Sequence, residues 1–442
     1  MDLLNDYAFT AAAFIFVLGI LIFIHELGHH LMAKLLGIRV EAFSLGFGPR
    51  LFGFRMGETD YRVSLLPLGG FVKMAGENVV DDLTGAPYEF LSKPRWQRFL
   101  VAIAGPAMNL GLAVALMTGL YLVGIEVPRY LSQPPVIGYV APESAAQQAG
   151  LQKGDQILSI DGVETTTWEK TNLQILTNGG KLVPVVYRRD GQRQEELIEI
   201  RAVGPSQQGA LGIAPALDFK IDQVSEDSPA ERAGLRPGDE VVMAELDGQT
   251  AQGFYAIQYL VSRQEAGTPI DFTIVRDGQT ITKTIAPVPD KNDPERIVIG
   301  AAPFVPFETR QYSLAGSVQE AVRRNVEVAG LLFKILGQIV TGDTSIRTLS
   351  GPLEIANFSG IAARQGASTL INFMAFISLQ LGILNLLPIP ILDGGVILLL
   401  AIEGLRGRDL SVQVKERILQ AGFLFLVLLM SFVIINDITK QF

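Results

Sequence analysis

Four long apolar stretches, near residues 8–36, 98–124, 369–404 and 414–436, set the strongest limit on the fold of this 442-residue chain. Each is at least as long as the roughly 20 residues that a helix needs to cross a bilayer. The composition agrees, because 48% of the residues are hydrophobic and the mean hydropathy is +0.32. The sequence therefore predicts a polytopic α-helical membrane protein with four transmembrane helices and a polar middle region.

Basic residues predict the orientation of the spans. They collect in the loops that follow the first and third stretches: Arg39, Arg50, Arg55, Arg62, Lys73, Lys93 and Arg95, and then Arg406, Arg408, Lys415 and Arg417. Because such loops are usually cytoplasmic, both termini and the polar middle are expected on the outer side of the membrane, which in a Gram-negative cell is the periplasm. Residues 1–10 lack the basic residues of a signal peptide, so we expect the first stretch to be retained in the inner membrane.

The polar middle is acidic. Residues 126–310 contain 26 Asp and Glu but 17 Lys and Arg, a net charge of −9 that equals the charge of the whole chain. An acidic surface argues against nucleic acid as a partner. The chain has no cysteine, which excludes disulfides and thiol catalysis.

An internal repeat divides the middle into two halves. The segment SAAQQAGLQKGD at 144–155 recurs as SPAERAGLRPGD at 228–239, and each copy is followed by two Asp-Gly turn signals. The shared pattern resembles the circularly permuted PDZ domains of bacteria. The resemblance implies two tandem β-rich PDZ domains, whose grooves bind extended peptide ends or act as a size filter.

The loop between the first two spans contains strand patterns at 43–48 and 61–73, with a turn at 57–60. They predict a small β-sheet that is inserted in the membrane beside the first helix; a cytoplasmic surface hairpin is the alternative. An open edge of such a sheet could bind an extended peptide by strand addition. We expect Leu65, Gly69 and Gly70 to contact a substrate there.

The first span contains the sequence His25-Glu26-Leu27-Gly28-His29. Two His at i and i+4 lie on one face of a helix and can reach the same Zn²⁺, while the intervening Glu can act on a water at the metal. Ionisable groups within an apolar helix are costly and usually functional. A polar seam between packed helices is the alternative interpretation.

The third span contains the sequence NLLPIPILDGG at 385–395, whose two Pro and two Gly predict a broken helix. Asp393 is the only carboxylate between Glu354 and Glu403. A buried Asp needs a partner and a Zn²⁺ held by two His needs a third ligand, so Asp393 is the candidate. The alternative is that Asp393 caps the helix that resumes after the break.

Further patterns lie around these motifs. The second span carries Gly105-Pro106 and Asn109, which indicate either a packing kink or a role near the metal. Residues 313–340 have the pattern of an amphipathic helix on the outer membrane surface, and 341–352 are predicted as a loop.

The ordered set of HExxH, GPxxN, two PDZ repeats and NxxPxPxLDGG resembles the site-2 protease family of intramembrane zinc metalloproteases over nearly the whole chain. The resemblance implies Zn²⁺ held by His25, His29 and Asp393, with Glu26 as the catalytic acid and base. It also implies substrate contacts at Asn385, and we assign Pro388 and Pro390 to the same region.

The implied substrates are single-span membrane proteins, such as an anti-sigma factor that a periplasmic site-1 protease has already trimmed, or signal-peptide remnants. The implied partners also include the lipid bilayer. The expected boundaries are a first span with HExxH (1–37), a sheet region (38–97), a second span (98–124), two PDZ domains (125–217 and 218–306), a surface helix and loop (307–366), a third span (367–405) and a loop with the fourth span (406–442).

Three other functions fit parts of the pattern. A membrane-anchored protease for soluble segments would usually draw its third ligand from a His or Glu, and the chain has only three His, the third being His30. A PDZ scaffold with a structural metal would not need Glu26. A transporter predicts inverted repeats among the spans, and the sequence has no visible ones.

Overall fold

The computed structural model describes residues 2–77, 84–204, 207–290, 296–342 and 351–441. Within it the chain forms two compact units. The first contains residues 1–125 and 310–442, and the second contains residues 126–309.

The long helices belong to the first unit, and the helices of the second unit are short. In chain order the helices are α1 Asp2–Leu35, α2 Arg95–Val123, α3 Ala145–Gln148, α4 Trp168–Thr177, α5 Pro229–Arg232, α6 Phe254–Ser262, α7 Leu314–Thr341, α8 Pro352–Gln365, α9 Ala367–Asn385, α10 Asp393–Arg406 and α11 Val412–Gln441, with a 3₁₀ turn at Arg129–Ser132.

Most strands lie in the second unit. They are β1 Val40–Met56, β2 Thr59–Met74, β3 Ile125–Pro128, β4 Tyr139–Val140, β5 Gln156–Ile160, β6 Val163–Glu164, β7 Lys181–Arg189, β8 Gln192–Val203, β9 Gln208–Ala210, β10 Ile213–Ala214, β11 Phe219–Val224, β12 Glu240–Leu246, β13 Gln249–Ala251, β14 Ile270–Arg276, β15 Gln279–Ile285, β16 Val288–Pro289, β17 Ile297–Val298, β18 Ala301–Pro303 and β19 Phe307–Arg310.

Among the described residues, four helices are long and apolar enough to cross a membrane: Asn5–Leu35, Arg95–Val123, Ala367–Asn385 and Val412–Thr439. The third of these differs from the predicted stretch at 369–404. That stretch forms two helices, α9 and α10, separated by the non-helical residues 386–392. The two prolines of the motif lie in this gap, where a missing N–H and a fixed φ oppose a continuous helix.

The sheet of the first unit is more elaborate than the predicted pair of strands. Both strands bend, so the first half of β1 has a partner on each side: Phe43 pairs with Tyr61 on one side and with Val72 on the other. The result is four segments in the order 50–56, 59–64, 40–45 and 70–74, in which the two central segments run parallel and each outer segment is antiparallel to its neighbour. The last of these forms an edge of the sheet and contacts α1.

Aromatic side chains fix this sheet to α1. The buried ring of His30 packs edge-on against Phe43 and Tyr61, and its Nε2 lies 3.1 Å from the Tyr61 hydroxyl. Within the sheet, the hydroxyls of Ser44 and Ser64 are buried and lie 2.9 Å apart. Buried hydroxyls are stable only when they are paired, so this contact helps to hold the two strands in register.

The region predicted as a surface helix and loop at 307–366 contains two helices, of which the first, α7, lies where the amphipathic helix at 313–340 was predicted. The helix α7 begins after Ser313, whose side chain accepts the Gly316 N–H, and it packs against α2 and α9. A second helix, α8, was not predicted; it packs against α1. The predicted loop lies mostly outside the described residues, at 343–350, but α8 begins directly after it.

The sequence repeat of the second unit is also a structural repeat. In each half a Ser caps a short helix, α3 or α5, and a strand is followed by a longer helix, α4 or α6. All four Asp-Gly pairs have positive φ at both residues, as type I′ hairpin turns require: Asp161-Gly162, Asp190-Gly191, Asp247-Gly248 and Asp277-Gly278. Each half also has its own buried apolar core.

Candidate metal centre

Close packing of α1 against α2 builds the centre. A Cβ on Gly28 would overlap the backbone of Ala104, and a Cβ on Gly105 would overlap the ring of His29. Two glycines facing each other's helices therefore allow an approach that no larger residue permits. This brings the His25–His29 face of α1 against the middle of α2.

Three ligand-type atoms converge in the space beside this contact. Nε2 of His25 lies 3.2 Å from Nε2 of His29 and 3.2 Å from Oδ2 of Asp393, and Nε2 of His29 lies 3.4 Å from Oδ1 of Asp393. A tetrahedral Zn²⁺ with bonds of about 2.0–2.1 Å separates its ligand atoms by about 3.3 Å. The donor set and its spacing therefore fit a zinc ion with one position left open.

The hydrogen-bond partners of the His25 and His29 rings determine which ring nitrogen carries the proton. Nδ1 of His29 donates to the Val101 carbonyl at 2.8 Å, which leaves the lone pair of Nε2 free for a metal. Nδ1 of His25 lies 3.3 Å from the side-chain amide of Asn109. Both partners are on α2, so this helix orients both rings.

Asp393 is presented by the broken segment of the third span. It is the first residue of α10, while Leu392 occupies the N-cap position, so the predicted alternative of Asp393 as the helix cap is wrong. Ile391 has φ +86°. That conformation is strained for a β-branched residue, and such strain is typical of functional sites.

Glu26 lies between the two His and against the edge segment of the sheet. The backbone N–H of Val72 interacts with its carboxylate. A Cβ on Gly70 would come within 3.1 Å of Cγ of Glu26 and within 2.9 Å of Cγ2 of Ile22. The edge strand and the candidate catalytic carboxylate are therefore in direct contact.

A cavity of about 720 Å³ joins these groups. The two His, Glu26 and Asp393 line it, and so do three of the predicted substrate-contacting residues, Gly69, Gly70 and Asn385. The other three predicted residues are not part of its lining. Leu65 and Pro388 are exposed, and Pro390 packs against Gly422 of α11.

Several groups at the cavity were not assigned a role from the sequence. Arg98, Glu403 and Lys415 also line the cavity, and Lys415 Nζ lies 2.7 Å from the buried Glu403 carboxylate. The position of Glu403 as a lone carboxylate near the end of an apolar segment was the sequence feature that could have indicated a buried, paired group. For Asn109 the sequence left open either a packing kink or a role near the metal; it lies two turns after Val101, on the face of α2 that reaches the rings.

Comparison with known proteins places this geometry in context. The family model described as peptidase family M50 matches residues 13–429. A protein named regulator of sigma-E protease RseP from Salmonella typhimurium is 35% identical over 454 residues, covering 97% of this chain and 98% of its own length. The protein of that name from Escherichia coli K12 is 33% identical over 458 residues, covering 98% and 99%.

A further relative from Neisseria meningitidis, assigned as a zinc metalloprotease, is 34% identical over 456 residues and covers 98% of this chain and 99% of its own. Among solved structures, the PDZ domain of an SdrC-like protein from Listeria monocytogenes matches 19% of this chain and 86% of its own, with 20% identity and a TM-score of 0.17.

Proposed function

Since the chain belongs to peptidase family M50, the zinc metalloproteases of the site-2 type, we propose that it hydrolyses peptide bonds within the membrane-spanning segments of single-span proteins. The observation that carries the proposal is the cluster of His25, His29 and Asp393 beside Glu26, on helices long and apolar enough to span a membrane. A hydrolytic centre at such a position acts on substrates that are themselves in the bilayer.

In this proposal His25, His29 and Asp393 hold the Zn²⁺ and leave its fourth position to water or substrate. When bound, Zn²⁺ supplies Lewis-acid polarisation of the scissile carbonyl and lowers the pKa of water. The three ligands come from two separate segments, so the fold of the first unit, rather than a local loop, sets the geometry.

Glu26 is the acid and base of the proposed reaction. Its carboxylate takes a proton from the attacking water as the new C–O bond forms, and it then delivers that proton to the nitrogen of the leaving amine as the C–N bond breaks. The edge strand lies directly beside Glu26, since a Cβ on Gly70 would come within 3.1 Å of Cγ of Glu26, and this contact would orient the carboxylate.

The substrate must be extended at the cut, because a helix pairs its own carbonyls and shields them. We propose that the sheet dips into the membrane and that its edge segment 70–74 binds the unwound substrate by strand addition. Gly69, Gly70 and Asn385 would contact the substrate near the scissile bond. Leu65, Pro388 and Pro390 would act farther from it.

The physiological role is proposed from two relatives that carry the name regulator of sigma-E protease RseP. The substrate would be an anti-sigma factor already trimmed by a site-1 protease, and cleavage would release its cytoplasmic part in envelope stress. Signal-peptide remnants form a second substrate class. The two halves of the second unit would be periplasmic PDZ domains, with the metal nearer the cytoplasmic side of the inner membrane.

The test is cleavage of a tagged single-span substrate by the purified wild type and by Glu26→Gln, with zinc measured in both. We expect about one zinc in each and cleavage by the wild type alone. Cleavage by Glu26→Gln at the wild-type rate would contradict the role of Glu26. A metal with four protein ligands and no cleavage of any membrane substrate would favour a PDZ scaffold instead.

A further inference from the structure

The side chain of Asn109 is the only side-chain group of α2 that bonds to a ring of the metal cluster among the described residues. It is 1% exposed, and its amide nitrogen Nδ2 lies 3.3 Å from Nδ1 of His25. From α9, the Ser378 hydroxyl donates to the Asn109 backbone carbonyl at 2.8 Å. Helix α9 therefore holds the Asn109 backbone, while the Asn109 side chain contacts His25 on α1.

The two ends of the Asn109 amide have opposite consequences for His25. If the amide nitrogen faces Nδ1, that atom must accept, and the neutral ring carries its proton on Nε2. Nε2 is the atom that points at His29 and Asp393, so a proton there would block metal binding. If the amide oxygen faces Nδ1, the ring donates from Nδ1 and the lone pair of Nε2 is free.

The oxygen and nitrogen of an amide have nearly the same shape, so the orientation of the Asn109 amide is assigned from the hydrogen-bond partners that each end can have. With Nδ2 at the ring, the other end of the amide, Oδ1, is buried and has no hydrogen-bond partner among the described residues. Turning the amide by 180° gives Oδ1 the Nδ1–H of His25 as its donor, and the need for a free Nε2 on His25 selects this orientation. His29 shows the same arrangement with a different acceptor, since its Nδ1 donates to the Val101 carbonyl.

We propose that Asn109 is a positioning residue for the metal: its amide oxygen accepts the Nδ1–H of His25 and so holds that ring in the tautomer that can ligate Zn²⁺. The proposal rests on the metal site of the proposed function. It assigns different acceptors to the two rings, a backbone carbonyl for His29 and a replaceable side chain for His25. Only the second can be tested by substitution.

The test compares zinc affinity of the purified full chain, by chelator competition, in the wild type, Asn109→Leu and Asn109→Asp. Leu has a similar size but accepts no hydrogen bond, and we expect it to weaken zinc binding about 10- to 100-fold. Asp keeps an acceptor at the same place and should restore binding. Asn109→Thr, with a hydroxyl acceptor, is a second rescue variant in case a buried carboxylate prevents folding.

Two readouts separate positioning from a structural effect. The absorption spectrum of the Co²⁺-substituted protein should change in Asn109→Leu and return toward the wild type in a rescue variant. The melting temperature of the metal-free protein should be the same in the wild type and Asn109→Leu. Ser378→Ala, which keeps the Asn109 side chain, is the control and should bind zinc nearly as the wild type does.

Zinc binding by Asn109→Leu at the wild-type affinity would overturn the proposal. So would equal weakening in all three Asn109 variants together with an equal fall of the metal-free melting temperature. Failure of the wild type itself to bind zinc would instead contradict the metal site of the proposed function, and the two failures are thereby distinguished.

Discussion

Gly70 and Glu26 approach each other so closely that a Cβ on Gly70 would lie 3.1 Å from Cγ of Glu26. The same Cβ would lie 2.9 Å from Cγ2 of Ile22 and 2.9 Å from the Ser44 carbonyl. Atoms of α1 and of the sheet therefore enclose the position of a Cβ on Gly70. The edge strand could accept a methyl group there only by moving away from α1. The contact ties the proposed substrate-binding edge to the proposed catalytic carboxylate.

Gly70→Ala is therefore expected to lower cleavage strongly while zinc binding is retained. A displacement of about 1 Å at a reacting centre can cost about 100-fold in rate, and the strand would have to shift by a distance of that order. The measurement is the initial rate of cleavage of a single-span substrate, with zinc content determined on the same sample.

Gly19→Ala on α1 is the matched control, because a Cβ on Gly19 would meet nothing within 4 Å. It should leave both rate and zinc content near the wild type. Equal activity of Gly70→Ala and Gly19→Ala would show that the edge strand does not position the reaction.

The buried carboxylate of Glu403 is expected to depend on Lys415. Glu403 is 1% exposed; it accepts a bond from Lys415 at 2.7 Å and from the Leu410 N–H at 2.9 Å, while the nearest Arg98 nitrogen is 4.0 Å away. Lys415→Met removes the closest charge and should destabilise the chain by about 2–3 kcal/mol, because a buried charge loses its partner. The measurement is thermal unfolding of the full chain in detergent.

Two comparisons test that explanation. Lys73→Met breaks the ion pair of Lys73 with Glu41, whose side chains are 51% and 39% exposed, and should change the unfolding temperature little. Adding Glu403→Gln to Lys415→Met should recover part of the lost stability, since the uncompensated charge is then removed. No recovery would mean that Lys415 stabilises the chain through packing instead.

Some of the centre followed directly from the sequence. The i, i+4 spacing of His25 and His29 needs only one helix, and a lone carboxylate in an apolar stretch singled out Asp393. Partners that lie far apart in sequence did not follow, because hydrophobic periodicity says which face is buried but not which residue it meets. The contact between His25 and Asn109, 84 residues apart, is of this kind. The ion pair of Glu403 with Lys415 joins nearer residues, but it too depends on how α10 packs against α11.

The sheet shows the same limit. Alternating apolar residues predicted strands near 43–48 and 61–73, but not that residues 40–45 pair on both sides. That arrangement depends on bends and register shifts within β1 and β2, which leave no clear alternation in the sequence. In the second unit, by contrast, Asp-Gly pairs determine the hairpin turns locally, so the repeat could be recognised from a single sequence.

Acid should destabilise the second unit through two equivalent ion pairs. Arg276 donates two hydrogen bonds to the buried Asp239 at 2.7 Å and holds the pKa of that carboxyl below its usual value. At Asp155, burial acts to raise the pKa, but hydrogen bonds from Arg189 and from the Gln152 N–H outweigh it and lower the pKa. Both pairs therefore stabilise the folded state above the usual pKa of 3.8, and this contribution is lost as the pH falls through that value toward the lowered one.

The measurement is the melting temperature of the excised unit, residues 126–309, between pH 7 and pH 3. Arg276→Ala should melt well below the wild type at pH 7, and the difference should shrink at the acid end as Asp239 becomes protonated. Arg263→Ala, which removes an exposed pair with Glu143, should melt like the wild type throughout. A constant difference between Arg276→Ala and the wild type at every pH would contradict the charge explanation.

Removal of the second unit is expected to relax the need for prior trimming of the substrate, if that unit acts as a size filter. The deletion is sterically reasonable because the two segments of the first unit that flank residues 126–309 lie close together. The Tyr312 N–H donates to the Tyr121 carbonyl at 3.1 Å, and the two rings pack edge to face. A short Gly-Ser linker in place of residues 126–309 can therefore join the remaining segments without disturbing the helices that carry the metal ligands.

The measurement is cleavage of an intact and a pre-trimmed version of the same single-span substrate by the wild type and the deletion variant. We expect the wild type to cut only the trimmed form and the deletion variant to cut both at similar rates. Retained zinc and retained cleavage of the trimmed form establish that the variant is folded. If such a variant still leaves the intact substrate uncut, selection for trimmed substrates resides in the first unit, and the size-filter hypothesis is wrong.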